Sequence, residues 1–363
     1  MKLDIKSLLQ FAIDKNASDL HLLADVQPTV RIDGELGPIP GISIIDKESV
    51  KELIFQTMTT IQKDYFLQNK EIDYSINYGD RGRFRVNVYT QRNSTAAAFR
   101  LIPADIKTID ELGLPQVLHS FIELKSGFIL VTGPTGHGKT TTIAAIINEI
   151  NQTRASHIIT IEDPIEYVYK NSKSIISQRE VNHDTYAWKI ALRSVLREDP
   201  DVVLIGEMRD YETIAAALTI AETGHLVFAT LHTNSAAQSI DRIVDVFPAH
   251  QQNQIRMQLS NTLEAVISQR LLPASDGGRV PAVEMLRGTS AVKTNIREGK
   301  THLLDNIIQT SKDEGMITMD AYLSQLVAQN KITMEVAKQW CIYPNELMRK
   351  IKTNSSIESH KED

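Results

Sequence analysis

The segment GPTGHGKT, from Gly133 to Thr140, matches the pattern GxxxxGK[ST] completely. The apolar run FILVT precedes it at 128–132, and a helical pattern over 139–151 follows it. Phosphates need several backbone N–H donors close together, so glycines must let the backbone curl around the anion, and the following helix adds the positive end of its dipole. With both flanks correct, the segment predicts a loop that binds ATP together with Mg²⁺.

Two side chains of this loop have chemistry of their own. Lys139 would reach the β- and γ-phosphates, and Thr140 would offer its hydroxyl to Mg²⁺. His137 occupies a free position of the pattern, so its side chain is able to point away from the nucleotide. The residues that we expect to line the nucleotide are Gly133, Pro134, Thr135, Gly136, His137, Gly138, Lys139, Thr140 and Thr141.

A candidate general base follows the apolar run DVVLIG, which covers 201–206 and ends directly before Glu207. Ligands of open α/β sheets bind at the carboxyl ends of the strands, which is where this side chain would lie. A carboxylate there can orient and deprotonate the attacking water in a hydrolysis. The alternative is a structural role, in which Glu207 pairs with Arg209 or with a helix N-terminus.

An acidic cluster lies in TIEDPIEY, residues 160–167, at the end of another apolar strand. Its carboxylates are Glu162, Asp163 and Glu166. Hard oxygen ligands of this kind hold Mg²⁺, partly through water, so we expect the cluster to complete the metal site with Thr140. The competing interpretation is a solvated acidic turn.

Two histidines flank one strand in GHLVFATLHTN, residues 224–234. His232 would lie at the carboxyl end, on the same edge of the sheet as Glu207, where an imidazole can sense the γ-phosphate or polarise water. A histidine that only caps the strand end is the alternative, and it is the interpretation that we favour for His225 at the opposite end.

A pair of arginines lies far upstream, in the alternating segment GRFRVNVY at 82–89. Because side chains alternate across a strand, Arg83 and Arg85 share the face opposite Phe84 and Val86. Arginine stabilises charge on a transferring phosphoryl group, and ring-shaped motors often supply it from the next subunit. A solvated strand face is the alternative.

The elements that must position these residues indicate an α/β fold. From about Gly127, apolar runs of strand length alternate with helical segments, which is typical of a sheet buried on both faces with helices as crossovers. The expected strands are 128–132, 157–161, 201–206 and 225–231, and the expected helices are 139–151, 185–198 and 211–222.

Outside this region the predictions are coarser. We expect a small α+β domain over 1–101, a linker over 102–115, an ATPase domain with a helical C-terminal part over 116–345, and a polar tail over 346–363. Beyond Thr233 one amphipathic helical face is expected from Ile255, Leu259, Leu263, Val266 and Ile267.

Composition restricts the class of protein further. The net charge is 39 − 45 = −6, which argues against direct nucleic-acid binding, although a local basic patch could oppose the net charge. One cysteine, Cys341, excludes a disulfide framework and a four-cysteine zinc module. No run approaches the roughly 18 apolar residues of a membrane span. We expect a cytoplasmic protein that reaches a membrane only through a partner.

In order and spacing, these motifs resemble those of the secretion ATPase superfamily and, within it, the type IV pilus retraction ATPases of the PilT family. The matching stretches are ASDLHL (17–22), GRFRVNVY (82–89), GPTGHGKTTT (133–142), IITIEDPIEYV (158–168), LREDPDVVLIGEMRDYETIAAALTIAETGHLVFATLHTN (196–234) and IDRIVDVFP (240–248).

The resemblance implies a RecA-like P-loop ATPase domain behind a PAS-like N-terminal domain, in a homohexamer that binds ATP between subunits. Turnover would drive pilus disassembly through an inner-membrane platform protein, so the ring would lie at the cytoplasmic face of the inner membrane. Glu207 resembles the Walker B glutamate, Glu166 the carboxylate of the Asp box, His232 a residue of the His box, and Arg85 an arginine that the N-terminal domain contributes. With Lys139, these four form the expected catalytic set.

Two departures from the family pattern keep other functions open. His137 stands where the family commonly has serine, and residues 291–298 read AVKTNIRE where it commonly has AIRNLIRE. The alternatives are an accessory retraction paralogue or a type II secretion or pilus assembly ATPase. From other classes, they are a nucleotide-binding regulator without turnover and a nucleic-acid translocase. Assembly ATPases commonly carry a four-cysteine zinc site, which the single cysteine disfavours.

Overall fold

The computed structural model of the chain describes residues 4–32, 34–79, 81–103 and 105–358. The chain divides into two compact units. The first takes in Met1–Ile106 together with Pro164–Val168, and the second takes in Lys107–Asp163 and Tyr169–Asp363. The short segment 164–168 thus packs with the first unit although the chain around it belongs to the second.

The first unit is an α+β structure with one antiparallel sheet. Its elements are α1 (Ile5–Asp14), β1 (Asp19–Leu22), β2 (Thr29–Ile32), β3 (Glu35–Pro38), α2 (Lys47–Phe55), α3 (Thr60–Asn69), β4 (Glu71–Asn77), β5 (Gly82–Gln91) and β6 (Ser94–Pro103). Within the described residues the strand order is β3-β2-β1-β6-β5-β4, and neighbouring strands run antiparallel. Polar caps begin the helices, because Asp46 accepts two backbone N–H groups of α2 and Thr59 forms a capping box with Gln62 at α3.

The core of the first unit lies on one face of this sheet. Alternate residues of β5 are buried, and Phe84, Val86 and Val88 are completely enclosed. Leu8 of α1 and Phe99 of β6 belong to the same apolar cluster. Arg83 and Arg85 therefore share the opposite, half-buried face of β5, as the alternation predicts.

The second unit carries the rest of the described elements. After a 3₁₀ helix over Gln116–Phe121 they are β7 (Gly127–Thr132), α4 (Lys139–Thr153), β8 (His157–Glu162), β9 (Ile175–Glu180), α5 (Trp188–Val195), β10 (Val202–Ile205), α6 (Tyr211–Glu222), β11 (Leu226–Leu231), α7 (Ala236–Asp245), α8 (Ala249–Thr262), β12 (Leu263–Pro273), β13 (Arg279–Arg287), α9 (Ser290–Arg297), α10 (Leu304–Thr310), α11 (Met319–Ala328), α12 (Met334–Trp340) and α13 (Pro344–Glu358), with further 3₁₀ turns at Thr301–Leu303 and Lys312–Glu314.

The sheet of the second unit brings four strand ends to one edge. Among the described residues its order is β13-β12-β7-β11-β10-β8-β9, parallel except where β13 runs antiparallel to β12. Every residue of β7, β10 and β11 is buried, because helices cover both faces of the sheet. The residues that follow β7, β8, β10 and β11 emerge together, which is what a shared site requires.

The predicted helical face beyond Thr233 is wrong after Thr262. Ile255 and Leu259 do lie in α8, but Leu263, Val266 and Ile267 lie in β12. Strand β12 pairs with β7 on one edge and with β13 on the other, and consecutive residues from Ala265 to Gln269 are buried, so both of its faces are covered there. A continuous apolar run also satisfies helical spacing, and periodicity alone does not separate the two structures.

Three predicted boundaries also differ from the structure. Helix α5 covers Trp188–Val195 rather than 185–198, since the residues after it form tighter turns. The predicted linker 102–115 begins inside β6, and its Ile109 and Leu114 are buried. The expected polar tail is helical up to Glu358, with Leu347 of α13 fully buried, while 359–363 lie outside the described residues. None of the described helices is long and apolar enough to span a bilayer.

Candidate functional site

The loop between β7 and α4 adopts the curled backbone that its glycines allow. Gly133, Gly136 and Gly138 have φ values of 141°, 80° and 80°, which residues with a Cβ atom rarely adopt. A Cβ atom at Gly133 would lie 2.2 Å from the carbonyl oxygen of Gln269, so only glycine fits there. Helix α4 begins at Lys139, with its N-terminus open toward the loop.

The ammonium group of Lys139 hydrogen-bonds to the backbone of the loop. The side chain is buried, and Nζ donates to the carbonyl oxygens of Gly133 at 2.8 Å and Pro134 at 3.0 Å. The charge thus lies inside the loop, where an anion would meet it. Thr140 and Thr141 follow in the first turn of α4, and both are half-buried.

Glu207 lies directly beyond the end of β10, in a turn that is fixed on both sides. The N–H of Gly206 donates to Ile161 at 2.9 Å, the N–H of Met208 donates to Thr230 at 3.1 Å, and the Thr230 hydroxyl donates to the Gly206 carbonyl. The carboxylate oxygens of Glu207 have separate partners. Oε1 is 3.1 Å from His232, and Oε2 is 2.9 Å from Arg209. The bond to Glu207 raises the pKa of Arg209.

His232 connects Glu207 to the glycine-rich loop. Its Nε2 faces Glu207, while Nδ1 is 3.3 Å from the hydroxyl of Thr135 and 3.4 Å from Nζ of Lys139. The ring of His225, at the other end of β11, contacts groups nearby in the chain, the carbonyl of Ile220 and the hydroxyl of Thr223. The two histidines thus occupy the opposite ends of the strand that their spacing predicts, and their roles stay predictions.

The acidic cluster is divided between the two units. Glu162 ends β8 and is buried, and its Oε1 accepts hydrogen bonds from Thr160 at 2.7 Å and Gln178 at 3.4 Å. Asp163 is exposed in the second unit, whereas Glu166 belongs to the first. Within the described residues no three His, Cys, Asp or Glu side chains form a metal-binding group by themselves. A Mg²⁺ ion at these carboxylates would therefore need the Thr140 hydroxyl, water or nucleotide oxygens as further ligands, and the predicted ligand set stays a prediction.

The two arginines of β5 have partners inside the first unit. Nη1 of Arg83 donates to the side-chain oxygen of Asn77 at 3.0 Å, and Nη1 of Arg85 lies 3.8 Å from Oε1 of Glu166. Two residues that the family pattern assigns to the nucleotide thus form an ion pair with each other. Their contact with a nucleotide stays a prediction.

Sequence reasoning missed Gln269, which contacts the phosphate-binding loop and the helix that follows it. Its Nε2 donates to the carbonyl of His137 at 2.8 Å, and its Oε1 accepts the hydroxyl of Thr142 at 2.7 Å. The residue was overlooked because the start of β12 was predicted to be helical. A glutamine inside the apolar run that starts at Leu263 was the available signal, because a polar group in a buried strand needs polar partners.

His137 points away from the open side of the loop and toward β12. Its Nδ1 accepts the N–H of Leu271 at 3.0 Å, and its ring packs edge-on against Trp340 at 5.6 Å. Burial lowers its pKa, so the neutral form that accepts this bond is favoured. The imidazole thus anchors the loop rather than facing a ligand.

Comparison with known proteins places this geometry in a family. The family described as "Type II/IV secretion system protein" matches residues 1–341. The type IV pilus retraction ATPase PilT of Pseudomonas aeruginosa is 47% identical over 337 residues, which cover 93% of this chain and 98% of that protein. The twitching motility protein of Neisseria gonorrhoeae is 46% identical over 336 residues, covering 92% and 90%.

A solved structure agrees with the sequence relatives. The crystal structure of the pilus retraction motor PilT with bound ADP superimposes with a TM-score of 0.89 at 47% identity, and the match covers 96% of this chain and 99% of that one. The predicted α/β, RecA-like fold class is confirmed, and so is the resemblance to the pilus retraction ATPases. Because the family match covers nearly the full length of the chain, the chain belongs to the type II/IV secretion system protein family.

Proposed function

We propose that this chain is an ATP-hydrolysing motor that powers the retraction of type IV pili and thereby twitching motility. The observation that carries the proposal is the connection from Glu207 through His232 to Lys139, which joins an acid to the phosphate-binding loop within one unit. Relatives named as a pilus retraction ATPase and a twitching motility protein support the task of the motor.

The loop suits a triphosphate by its chemistry. Its curled backbone and the N-terminus of α4 supply N–H donors, and Lys139 supplies a buried positive charge. On binding, Lys139 would exchange the carbonyls of Gly133 and Pro134 for phosphate oxygens. Neutral carbonyls are weaker partners for an ammonium than a phosphate, so the exchange favours the bound state.

The oxygen donors that suit Mg²⁺ lie at the edge of the sheet that carries the loop. Thr140 offers a half-buried hydroxyl, and Glu162 and Asp163 offer carboxylates at the end of β8. These are hard oxygen donors of the kind that Mg²⁺ takes, with water and phosphate completing the shell. When bound, the ion would neutralise charge on the β- and γ-phosphates.

Glu207 is the group that we propose to activate water. Its position at the end of β10 lets one oxygen accept a proton from a water molecule aligned with the γ-phosphate. His232 holds the carboxylate by a 3.1 Å contact and also contacts the loop, so the water-activating group is oriented relative to the phosphates. Such positioning is most of what phosphoryl transfer needs from a protein.

The family resemblance supports a homohexamer with ATP bound between subunits. In this proposal the first unit is a PAS-like domain whose Arg83, Arg85 and Glu166 serve the nucleotide in the assembled ring. The ring would act from the cytoplasm on an inner-membrane platform protein of the pilus. In this proposal the contact with the membrane is made through that partner.

Deletion and complementation in the strain that carries the chain test the proposed task. We expect the deletion to give hyperpiliated cells that do not twitch, and the wild-type chain to restore twitching. Lys139→Ala should fail to restore it, because the loop loses the charge that binds the phosphates. Lys125→Ala, which removes an exposed lysine before β7, is the matched control and should restore twitching.

The other outcomes of this experiment distinguish the alternatives. Loss of pili in the deletion strain would indicate an assembly ATPase and contradict the proposal. Normal pili with weakened twitching would indicate an accessory paralogue. This distinction matters because residues 291–298 depart from the family pattern. One of the departing residues, Lys293 in α9, forms an ion pair with Glu264 of β12 at 2.9 Å, which ties α9 to β12.

A further inference from the structure

Gln269 is a buried glutamine with one hydrogen-bonding partner in the phosphate-binding loop and one in the helix that follows it. Only 3% of its surface is exposed, although it carries a polar amide. The amide donates to the carbonyl oxygen of His137, the residue before Gly138, and accepts from the hydroxyl of Thr142 in the first turn of α4. One side chain from β12 thus joins the loop to the helix that follows it.

The hydrogen bond to His137 fixes one peptide plane of the loop. In a trans peptide the C=O and the next N–H point in opposite directions. Because the carbonyl of His137 is directed at Gln269, the N–H of Gly138 is directed away from β12. That N–H belongs to the set of backbone donors on which phosphate binding by such a loop depends.

The backbone around Gln269 packs just as closely against the loop. The carbonyl oxygen of Gln269 occupies the space next to Gly133, and its Nε2 lies 2.8 Å from where a Cβ atom of Gly138 would be. The next residue but one, Leu271, donates its N–H to the ring of His137. The loop is therefore held against β12 at its first, fifth and sixth positions.

We propose that Gln269 is a positioning residue for the nucleotide phosphates. It acts through the peptide planes of the loop and does not touch the ligand itself. The inference rests on the proposed function, since it assumes that this loop binds ATP. It goes beyond that function because it assigns a task to β12, which pairs with β7 on the side opposite to β11. That task is to keep the backbone amides of the loop aligned.

Gln269→Met tests the inference, because methionine keeps the volume and removes both hydrogen bonds. We expect the Kd for ATP of the full-length protein to rise about tenfold, which is the cost of losing roughly one such bond. Ser268→Ala is the control, since Ser268 precedes Gln269 on β12 but accepts a hydrogen bond from the hydroxyl of Thr132 in β7 rather than from the loop. It should leave the Kd unchanged.

A second pair of variants separates positioning from folding. Thr142→Val removes the hydroxyl that Gln269 accepts, whereas Thr142→Ser keeps it. We expect Thr142→Val to weaken ATP binding and Thr142→Ser to restore it, at similar melting temperatures. This comparison decides the question even if Gln269→Met does not fold.

Two results would overturn the inference. One is ATP binding by Gln269→Met within about twofold of the wild type. The other is a loss of affinity that follows the melting temperature equally in Ser268→Ala and in both Thr142 variants, since that would be a purely structural effect. A wild-type protein that does not bind ATP would instead refute the proposed function, so the two failures are distinguishable.

Discussion

At the scale of single residues, the carboxylate of Glu207 has two partners of unequal value. Arg209 bonds one oxygen, but its side chain is 67% exposed, and exposed ion pairs contribute little. His232 bonds the other oxygen and also reaches Thr135 and Lys139 in the loop. Glu207 therefore forms the ion pair with Arg209 that a structural role would require, and it also lies at the sheet edge as the catalytic role requires. His232 is the partner that links Glu207 to the loop.

Replacing this histidine should slow turnover. His232→Leu removes both ring nitrogens at similar volume, so Glu207 loses the group that orients it. We expect the rate of phosphate release to fall about tenfold or more, because an acid–base group contributes only when it is positioned. The measurement is steady-state phosphate release by the full-length chain.

His225→Leu is the matched control for that variant. It removes a histidine from the opposite end of the same strand, where the ring contacts only local groups. We expect its rate to stay within about twofold of the wild type. Equal losses in the two variants would mean that the histidines only stabilise β11.

The residues predictable from the sequence are those that directly follow an apolar strand. Glu207, His232 and the loop around Lys139 each come within a few positions of a fully buried run, and such runs specify a common edge. Gln269 was not predictable in this way, because its importance comes from packing between β12 and the loop. The same holds for Glu166, whose membership of the first unit depends on tertiary contacts.

At the scale of elements, the strands of the sheet were predictable where crossover helices separate them along the chain. They were not predictable where one strand follows another directly, as β13 follows β12. The run from Leu263 onward has no polar alternation, so only its pairing with β7 and β13 makes it a strand. Helix α13 was missed for a different reason. Among the α13 side chains whose burial the structure describes, 344–351, Leu347 alone is fully buried; this is too little apolar signal to predict a helix, and contact with α11 stabilises it.

A histidine ties the segment before β7 to the helix that follows the phosphate-binding loop. His119, in the 3₁₀ helix over Gln116–Phe121, lies 2.7 Å from Glu149 of α4 and 3.3 Å from Asp110. The hydrogen bond to Glu149, and then that to Asp110, raises its pKa above 6.5. The fold therefore favours the protonated imidazole.

This contact should make part of the stability depend on pH. A raised folded-state pKa contributes stability that is fully present below the unfolded value of 6.5 and is lost as the pH rises through the folded value. We expect the free energy of unfolding to fall more between about pH 6 and about pH 8 in the wild type than in His119→Gln. Urea unfolding at the two pH values measures the difference.

His250→Gln controls for the loss of a histidine as such, since His250 is exposed on α8 and is not near a carboxylate partner in the described contacts. Its pH dependence should match that of the wild type. Added salt should reduce the effect of His119, because the pair is partly exposed. A His119→Gln protein with the wild-type pH dependence would show that the contact contributes nothing.

At the scale of the whole molecule, one unit holds both the phosphate-binding loop and the proposed general base. The other unit holds Arg85 and Glu166, which are paired with each other. The α/β class and the family were predictable because six motifs agree in order and spacing over most of the chain.

The most direct test of the account is phosphate release by the full-length Glu207→Gln protein, with ATP binding measured on the same preparation. Glutamine keeps the shape of the side chain but cannot take a proton from water. Glu222→Gln, at the exposed end of α6, is the control and should behave as the wild type.

We predict that Glu207→Gln binds ATP as the wild type does and releases phosphate roughly 10²-fold more slowly or worse. A rate within about twofold of the wild type, with ATP binding intact, would contradict the assignment of Glu207 as the general base.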